Sequence, residues 1–318
     1  MSAAPPRAAV AVPVYNGEAF LDEALRALRA QTETRWRAVI VDNGSTDGTV
    51  AIAERAAAAD DRVRVVRSAE NRGANANFNR SAALALRTGA PYVLWATHDD
   101  VRHPDYLARC LDALDARPDA VGAHTAVRLI DGDGAAYPFD AGRGGFDAGD
   151  GDVWRWTPGE AAALADPDPA RRLGRFLESK LGEWMVYGVF RAEALAAVRP
   201  FAMPGVEDAL CAELLLHGPM VYLDEPLFDQ RLHARSARHL SRRDYIAYET
   251  GERPTEALLP SAGRALDFAR AVARAPLSRA GRLRALGALG RFALGGRRLK
   301  NLVVPGPDNY LGLRRPAR

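Results

Sequence analysis

The chain has 318 residues, of which 48% are hydrophobic and 26% are charged. This composition is ordinary for a folded globular protein and excludes intrinsic disorder as the default state. The length exceeds that of one average domain, so we expect one large core with an extension.

Positive charge is concentrated near the C-terminus. Residues 231–318 contain 19 Lys and Arg against 6 Asp and Glu, a net charge of +13, and the remaining residues carry −10. A basic segment of this kind meets an anionic partner, which is a membrane surface, a phosphorylated acceptor or the acidic body of the same protein. The charge leaves these alternatives open.

The two cysteines, Cys110 and Cys211, each lie in a helical apolar pattern. This usage predicts neither a disulfide framework nor a cysteine metal site, and it fits a reducing cytoplasm. The N-terminal sequence lacks a basic segment followed by a long apolar core, and no apolar run approaches about 18 residues. We therefore expect a cytoplasmic protein.

Strand and helix patterns alternate in the N-terminal part of the chain. A β-rich run at 8–14 ends in a turn at Asn16-Gly17, and the apolar residues that follow share one helical face. The pattern continues with strands at 36–42, 63–67 and 92–96 and helices at 49–59 and 74–86. This alternation predicts a mostly parallel sheet flanked by helices.

The pattern is less regular in the C-terminal part. The Gly- and Asp-rich residues 132–152 are predicted to form a mobile loop, and Thr157-Pro158-Gly159-Glu160 a capping box that begins a helix. Further helices are predicted at 105–116 and 209–216, and strands at 121–130, 185–190 and 228–230. Residues 264–299 predict one or two basic amphipathic helices, broken by Pro276 and Gly295-Gly296.

Polar residues follow three of the predicted strands. They are Tyr15-Asn16-Gly17, Asp42-Asn43-Gly44-Ser45 and Thr97-His98-Asp99-Asp100. Ligands of open parallel sheets collect beyond the carboxyl ends of the strands. We therefore expect these three segments to face one crevice.

Four segments also carry a resemblance to a known family. They are Ala11-Val-Pro-Val-Tyr-Asn-Gly17, Ile40-Val-Asp-Asn-Gly-Ser-Thr-Asp-Gly48, Asn71-Arg-Gly73 and Thr97-His-Asp-Asp100. In this order and spacing they resemble family 2 glycosyltransferases over about 230 residues, ending before the basic tail. The resemblance implies a GT-A type fold and an inverting enzyme that moves a sugar from a nucleoside-diphosphate sugar to an acceptor hydroxyl. Residues 1–236 would form this domain, and residues 237–318 a basic, mainly helical extension.

The resemblance also implies a nucleotide pocket. Positions matching Pro13, Tyr15 and Asp42 line the nucleoside site in the family, and Asn16, Arg72 and Asn75 are neighbouring candidates for donor contacts. Asp42 has a local alternative, since Asp-Asn-Gly-Ser favours a tight turn without any ligand. Asp47 lies where a helix cap belongs, and we predict capping for it.

A departing nucleoside diphosphate gains negative charge, which a divalent cation held by a carboxylate offsets. The resemblance implies Mg2+ or Mn2+ on Asp99. Thr97 stands where the first acid of the family motif normally lies, so the metal site departs from the family pattern. Further candidates for donor contacts are Thr97, His98 and Asp100, with structural hydrogen bonding as the alternative for the last two.

Inversion requires a base near the acceptor hydroxyl and away from the metal carboxylate. The family places its catalytic acid at the position matching Asp208, with Glu207 as the substitute. The alternative is that both acids only match the dipole of the helix they begin.

The segment 231–236 resembles the part of the family that closes the donor site. We predict that His233 completes the metal shell and that Arg231 or Arg235 neutralises the diphosphate; an ordinary surface turn is the alternative. Trp154, Trp156 and Trp184 could stack on an acceptor sugar or belong to the core.

Two other functions compete with glycosyl transfer. A nucleotide-sugar binding protein without turnover is suggested by Thr97, although the Glu207-Asp208 pair counts against it. A sugar nucleotidyltransferase would normally carry a Gly-rich loop with a Lys after the first strand, and here Pro13-Val-Tyr-Asn-Gly17 contains no Lys. UDP is the favoured donor nucleotide, the acceptor is a bacterial glycan, a lipid-linked molecule or a small molecule, and no nucleic acid partner is expected.

Overall fold

The structure, a computed structural model, describes residues 4–147, 153–155, 158–179, 181–201, 207–237, 240–251 and 260–294. Its strands are β1 (Ala8–Val14), β2 (Trp36–Asp42), β3 (Val63–Arg67), β4 (Tyr92–Trp95), β5 (Val101–Arg102), β6 (Gly122–Ile130), β7 (Phe139–Asp140), β8 (Gly145–Asp147), β9 (Val153–Arg155), β10 (Val189–Arg191) and β11 (Met220–Arg231). Its helices are α1 (Leu21–Arg29), α2 (Thr49–Ala59), α3 (Ala74–Leu86), α4 (Tyr106–Asp115), α5 (Pro158–Ala162), α6 (Pro169–Glu178), α7 (Gly182–Met185), α8 (Ala192–Ala197), α9 (Glu207–His217), α10 (Arg242–Thr250), α11 (Pro260–Arg274) and α12 (Arg279–Leu294), with a 3-10 turn at Ala163–Ala165.

The main sheet has eight strands in the order β3-β2-β1-β4-β10-β6-β11-β5. Strands β3, β2, β1 and β4 are parallel to one another. Strand β10 pairs antiparallel with both β4 and β6, and β6 pairs in parallel with β11. Every residue of β1 is buried, as expected for a central parallel strand covered on both faces. The mostly parallel sheet flanked by helices is thereby confirmed.

Helix α1 follows the predicted pattern. Its buried residues Leu21, Leu25 and Leu28 recur at the spacing that keeps side chains on one helical face. Asp22 and Glu23 lie in its first turn and Arg26 and Arg29 in its last, which is the charge order that the helix dipole favours. Because α1 starts directly after the β1 turn, its burial fixes the position of that turn.

Two predictions for the C-terminal part were wrong. The predicted loop 132–152 contains β7 and β8, which form a three-stranded antiparallel sheet with β9; short hairpins give too little periodicity to be read from sequence. The predicted strand 185–190 is instead the end of α7 followed by β10. Trp156, Thr157 of the capping box, the side chain of Trp154 and Gly295-Gly296 lie outside the described residues.

The C-terminal helices pack on the body of the protein. Helix α11 lies against α9, and α12 lies against α6. The Arg274 guanidinium donates two hydrogen bonds of 2.8 and 2.7 Å to the buried carboxylate of Glu213 in α9. The basic tail is therefore partly matched by the acidic body. No helix in the described ranges is long and apolar enough to cross a bilayer.

Both cysteines lie in the core. Cys110 in α4 and Cys211 in α9 are fully buried, and their sulfurs form no disulfide. Burial raises the pKa of the Cys110 thiol to about 12 and that of Cys211 well above its usual value. They act as small apolar side chains, in agreement with the sequence.

Candidate functional site

A cleft of about 460 Å³ opens beyond the carboxyl ends of β1, β2 and β4. This volume is in the usual range for small-molecule sites. The sequence-predicted residues that line it are Pro13, Tyr15, Asn16, Asn75, Thr97, His98, Asp99, Asp100, Glu207, Arg231, His233 and Arg235. The expectation that the strand ends face one crevice is thus confirmed, whereas the binding roles of these residues remain predictions.

Hydrogen bonds join the loops after β1 and β2. The backbone N–H of Asn16 donates to Ser45 Oγ at 2.9 Å, and the Asn16 side-chain oxygen accepts from the N–H of Thr46 at 2.9 Å. The N–H of Gly17 donates to Thr49 Oγ1 at 2.8 Å. Asn16 has a positive φ of 49°, which Asn tolerates better than most residues. These bonds hold the wall that carries Tyr15 in place.

Asp42 lies behind this wall. It is 1% exposed, and its carboxylate accepts hydrogen bonds from the N–H groups of Gly44 and Ser45 at 3.2 and 3.3 Å. The turn-forming alternative describes this geometry, and Asp42 is absent from the residues that line the cleft. The next residue, Asn43, does line it, and its amide donates to Asn71 Oδ1 at 2.9 Å and the Gly73 carbonyl at 3.1 Å.

The other three predicted residues on this side differ in outcome. Asp47 accepts from the N–H of Thr49, the first residue of α2, at 3.0 Å, but the N-cap of α2 is Gly48, so Asp47 supports the start of the helix from the residue before the cap. Arg72 points to a neighbouring surface hollow, where its Nε donates to Glu70 at 3.2 Å. Asn75 lies in the main cleft and donates to Glu249 at 3.4 Å.

Asp99 and His233 meet in the cleft, 134 residues apart in the chain. Asp99 Oδ2 and His233 Nε2 are 3.2 Å apart. His233 Nδ1 accepts from the N–H of Arg235 at 3.1 Å, which puts the ring proton of a neutral imidazole on Nε2, facing Asp99. Burial raises the pKa of Asp99, but the charge of His98 and the hydrogen bond from His233 outweigh it and keep that pKa below its usual value.

Thr97 and Asp100 form a second pair beside the first. Thr97 Oγ1 donates to Asp100 Oδ2, and the N–H of Arg231 donates to Asp100 Oδ1 at 2.9 Å. Burial, together with the charge of Asp99, raises the pKa of Asp100 to about 7. Thr97, which replaces the usual acid of the motif, is therefore a hydrogen-bond donor to the buried carboxyl group of Asp100. Asp100 braces the loop.

The Arg231 side chain is 2% exposed, and its guanidinium group is engaged in hydrogen bonds within the protein. Its Nε donates to the Asp99 carbonyl at 2.9 Å, Nη1 donates to the carbonyls of Asp131 and Gly132, and Nη2 donates to Glu23 at 2.7 Å. Four of its five N–H groups are thus used. Of the two predicted arginines, the exposed Arg235 is the better placed to meet a diphosphate.

Glu207 and Asp208 begin α9 but differ in environment. Glu207 lines the cleft that holds Asp99. The Asp208 carboxylate lies directly over Gly182 at the start of α7, where a Cβ would collide with it. Glu207 therefore faces the cavity, whereas Asp208 does not line the cleft and faces the backbone of α7.

Helix α10 adds residues that the sequence did not single out. Tyr245, Tyr248 and Glu249 line the cleft together with Tyr187, which precedes β10. Tyr248 is 44% exposed, so it lies at the rim of the cleft. These residues lie outside the four family-like segments. The sequence feature that relates to α10 is Gly73 of the Asn71-Arg-Gly73 segment, which packs against Gly251 directly after α10.

Tryptophan does not line the cleft in the described residues. Trp184 is 2% exposed and belongs to the core, as the alternative interpretation held.

The cleft is acidic for a site expected to hold a diphosphate. Asp99, Asp100, Glu207 and Glu249 line it, against Arg235 and the largely engaged Arg231. Among the described residues no group of three or more His, Cys, Asp or Glu is arranged to hold a metal ion. Asp99 nevertheless fits a cation whose other ligands are water and phosphate oxygens, which is how Mg2+ is commonly held. His233 directs its ring proton toward Asp99 and would have to move that proton to Nδ1 before it could bind the metal.

Residues 9–149 match the family model for Glycosyl transferase family 2. Among curated proteins, the chain is 38% identical over 87 residues to the polyprenol monophosphomannose synthase of Mycolicibacterium smegmatis, a match that covers 27% of this chain and 33% of that protein. Other matches cover between 12% and 51% of the relatives' length, so the chain aligns with about half of these proteins or less.

Solved structures share the fold over most of the chain. S. aureus TarS in complex with UDP-GlcNAc superposes with a TM-score of 0.61 at 18% identity, covering 92% of this chain and 74% of that one. The mannosyltransferase PcManGT from Pyrobaculum calidifontis, in complex with GDP-Man and Mn2+, gives a TM-score of 0.52 at 17% identity, covering 94% and 73%. The predicted GT-A type fold with C-terminal helices is thereby confirmed.

Proposed function

We propose that this chain, a member of glycosyl transferase family 2 through residues 9–149, transfers a sugar from a nucleoside-diphosphate sugar to an acceptor hydroxyl with inversion. The observation that carries the proposal is the 3.2 Å pair of Asp99 and His233 in a cleft bounded by the β1 loop and by Glu207. Four acids and one free arginine would repel a diphosphate unless a cation accompanied it.

Asp99 would hold the cation, Mg2+ or Mn2+. His233 would join it only after its ring proton moves from Nε2 to Nδ1, which costs the hydrogen bond from the Arg235 N–H. When bound, the cation supplies positive charge to the leaving diphosphate. Arg235 adds a second positive charge at the mouth of the cleft, while Arg231 and Thr97 hold Asp99 and Asp100 in position through the bonds described above. The Mn2+ complex of PcManGT supports a divalent cation.

The nucleoside would lie against Pro13, Tyr15 and Asn16, with Asn75 nearby. UDP is our favoured nucleotide, and the UDP-GlcNAc complex of TarS supports this choice. Asp42 would contact the base only by giving up its turn hydrogen bonds or by sharing them, so its part in binding is a weaker proposal than that of Tyr15.

Asp208 would act as the base after its carboxylate turns from Gly182 toward the cleft, and Glu207, which already lines the cleft, is the alternative. Both lie in the first turn of α9, where the helix dipole stabilises the ionised form. The base accepts the proton of the acceptor hydroxyl while that oxygen forms a bond to the anomeric carbon and the bond to the diphosphate breaks. The acceptor class is a bacterial glycan, a lipid-linked molecule or a small molecule, and the polyprenol-linked activity named for one relative supports a lipid-linked one.

Calorimetry of UDP and GDP binding with and without Mn2+ tests the donor site. We expect Mn2+ to strengthen UDP binding to the wild-type protein and to have no such effect on Asp99→Asn. Asp61→Asn, at an exposed position away from the cleft, is the matched control and should behave as wild type. Turnover of a nucleotide sugar that is undiminished in chelator would contradict the cation-dependent mechanism.

The same wild-type protein can be used to distinguish glycosyl transfer from nucleotide-sugar binding without turnover. Tight Mn2+-dependent nucleotide binding with no transfer or hydrolysis of any nucleotide sugar would favour a binding protein without turnover. Where transfer is found, NMR of the product should show the anomeric configuration opposite to that of the donor.

A further inference from the structure

Helix α12 is apolar on two opposite faces. Its inner face consists of Gly281, Ala285, Ala288 and Leu289, which are buried against the body of the protein, chiefly against α6. A surface helix normally has one apolar stripe, toward the core. The inner face already satisfies that requirement, so the remaining leucines of α12 need a different explanation.

Those leucines form an outer face that points to solvent. Leu283 is 71% exposed, Leu286 is 41% exposed and Leu294 is 69% exposed. Their spacing of 3, 8 and 11 residues keeps them on one side of the helix. Gly287 and Gly290 fall between them on the same side and leave the leucine side chains uncovered by neighbours. Single exposed leucines are common, but three on one face of one helix form a patch.

Positive charge surrounds this outer face. Arg279, Arg284 and Arg291 flank the leucines, and all three are exposed. Arg284 approaches Asp168 at 3.5 Å but keeps 57% of its side chain exposed. Neighbouring α11 adds the half-exposed pair Leu266 and Arg270.

Negative charge is nearly absent from the two helices. Within residues 260–294 the sequence contains a single acid, Asp267, which is 6% exposed and paired with Arg199 and Arg270. The exposed charge of the two helices is therefore of one sign.

We propose that the outer face of α12 docks this protein on an anionic phospholipid surface. Leucines flanked by arginines on a helix that lies flat are the combination that binds in the interface of a membrane, with the apolar side chains below the headgroups and the guanidinium groups among the phosphates. A protein partner with an apolar centre and an acidic rim would contact the same residues, and the vesicle experiment below distinguishes it from a lipid surface. The inner face fixes α12 to the body, so docking needs no rearrangement of the helix.

This surface is independent of the proposed glycosyl transfer, since it contains no residue of the cleft. If both proposals hold, the enzyme works beside the membrane and a lipid-linked acceptor is the substrate class that such placement serves.

Vesicle flotation of the full chain, without donor or acceptor, tests the docking. We expect the protein to float with vesicles of phosphatidylcholine and phosphatidylglycerol, to float weakly with phosphatidylcholine alone, and to be released by salt. The double variant Leu283→Ser/Leu294→Ser should bind the anionic vesicles about tenfold more weakly or worse. Arg279→Gln/Arg291→Gln should lose about fivefold per arginine.

Two controls accompany these variants. Arg55→Gln/Arg87→Gln removes the same charge at exposed positions near α2 and α3 and should float as wild type. Thermal unfolding of the leucine variant should match wild type, because both positions are mostly exposed.

Two results would overturn the proposal. One is wild-type protein that does not float with anionic vesicles, or a leucine variant that floats as well as wild type. The other is a wild-type protein that forms a dimer and does not bind vesicles, while the leucine variant is a monomer. That result would assign the outer face of α12 to a second copy of the chain. Loss of flotation with intact nucleotide-sugar turnover leaves the proposed function standing, and flotation of a protein without turnover leaves the docking standing.

Discussion

Thr97 shows how one substitution in a family-like motif is accommodated. An acid at this position would face the carboxyl group of Asp100, whereas the threonine hydroxyl donates a hydrogen bond to it. Since the pKa of Asp100 is already raised to about 7 by burial and by Asp99, a second negative charge here would be costly. Thr97 therefore lacks a charge that could bind a metal ion and instead makes a hydrogen bond that stabilises the loop.

Thr97→Val should destabilise the fold by about 1–3 kcal/mol, because it removes the donor to a buried carboxyl group while keeping the side-chain shape. Thr97→Ser retains the hydroxyl and should cost less than about 1 kcal/mol. Urea unfolding of the two variants measures the difference. Equal losses would mean that the hydrogen bond does not stabilise the loop.

Glu207 and Asp208 can be separated by kinetics. Asp208→Asn should lower kcat by about 10²–10⁴-fold with little change in the donor KM, as expected for removal of a general base. Glu207→Gln, whose side chain lines the cleft, should chiefly raise the donor KM. The opposite pattern would move the base to Glu207.

The sequence predicted which residues gather at the cleft better than it predicted what each one does. Strand ends are easy to locate, because buried parallel strands are continuous apolar runs. The direction of a polar side chain at a strand end depends on partners far away in the chain. Arg231 turns toward Glu23 and the Asp99 carbonyl, and Asp42 turns toward its own loop. The local sequence does not predict the direction of either side chain.

At the scale of elements, α10 is the unexpected part of the site. It follows the predicted boundary at residue 236, yet it lies against α3 and supplies Tyr248 and Glu249 to the cleft. Its last residue is followed by Gly251, whose backbone packs against Gly73. The boundary stays a prediction, but the cleft does not end at it.

Gly73→Ala should push α10 away from the cleft. Gly73 has a φ of 83°, and a Cβ there would collide with the backbone of Gly251 and Thr250. Relief of that clash by movement of α10 should weaken UDP binding about tenfold. Calorimetry measures the affinity, and hydrogen exchange in residues 242–250 should rise.

Gly89→Ala is the matched control. Gly89 also has a positive φ, 74°, but a Cβ there meets nothing within 4 Å. The control should lose about 1–2 kcal/mol of stability from backbone strain and keep its UDP affinity. If both variants bind UDP as wild type does, α10 is not part of the donor site.

The elements that the sequence failed to predict share a physical cause. Strands β1, β2, β3 and α1 to α3 are long enough for burial to impose a clear period. Strands β7 to β10 span two or three residues each, and their order comes from pairing with distant strands. Helix α10 has little apolar periodicity, because it also packs through polar groups, as where the Tyr245 hydroxyl donates to Glu249 at 2.7 Å.

At the scale of the whole molecule, the uneven charge of the sequence is partly resolved within the fold. Arg274 of α11 binds Glu213 of the body, and Asp267 of α11 binds Arg199 of the body, so the tail and the body neutralise each other at these contacts. In the part of the tail that the structure describes, Arg279, Arg284 and Arg291 of α12 stay exposed. The sequence showed the excess of charge but not this division, which depends on how the two C-terminal helices are rotated.

Arg274→Met should destabilise the protein by about 2–3 kcal/mol. The substitution leaves Glu213, 2% exposed, without its bidentate partner, and the loss stays at the low end for a buried pair because Arg274 itself is 41% exposed. Arg270→Met removes a half-exposed arginine from the same helix and should cost less than about 1 kcal/mol. Thermal or urea unfolding compares the two; similar losses would mean that α11 is not held by this pair.

The protected thiols of Cys110 and Cys211 make the natural chain a ready background for site-selective labelling. With both sulfurs sealed in the core and held in the neutral form, a maleimide reagent should leave the native protein unmodified at neutral pH. A cysteine introduced on the outer surface of α12 or α10 would then be the one reactive group. Fluorophores placed there could follow lipid contact and closure over a nucleotide in the same molecule.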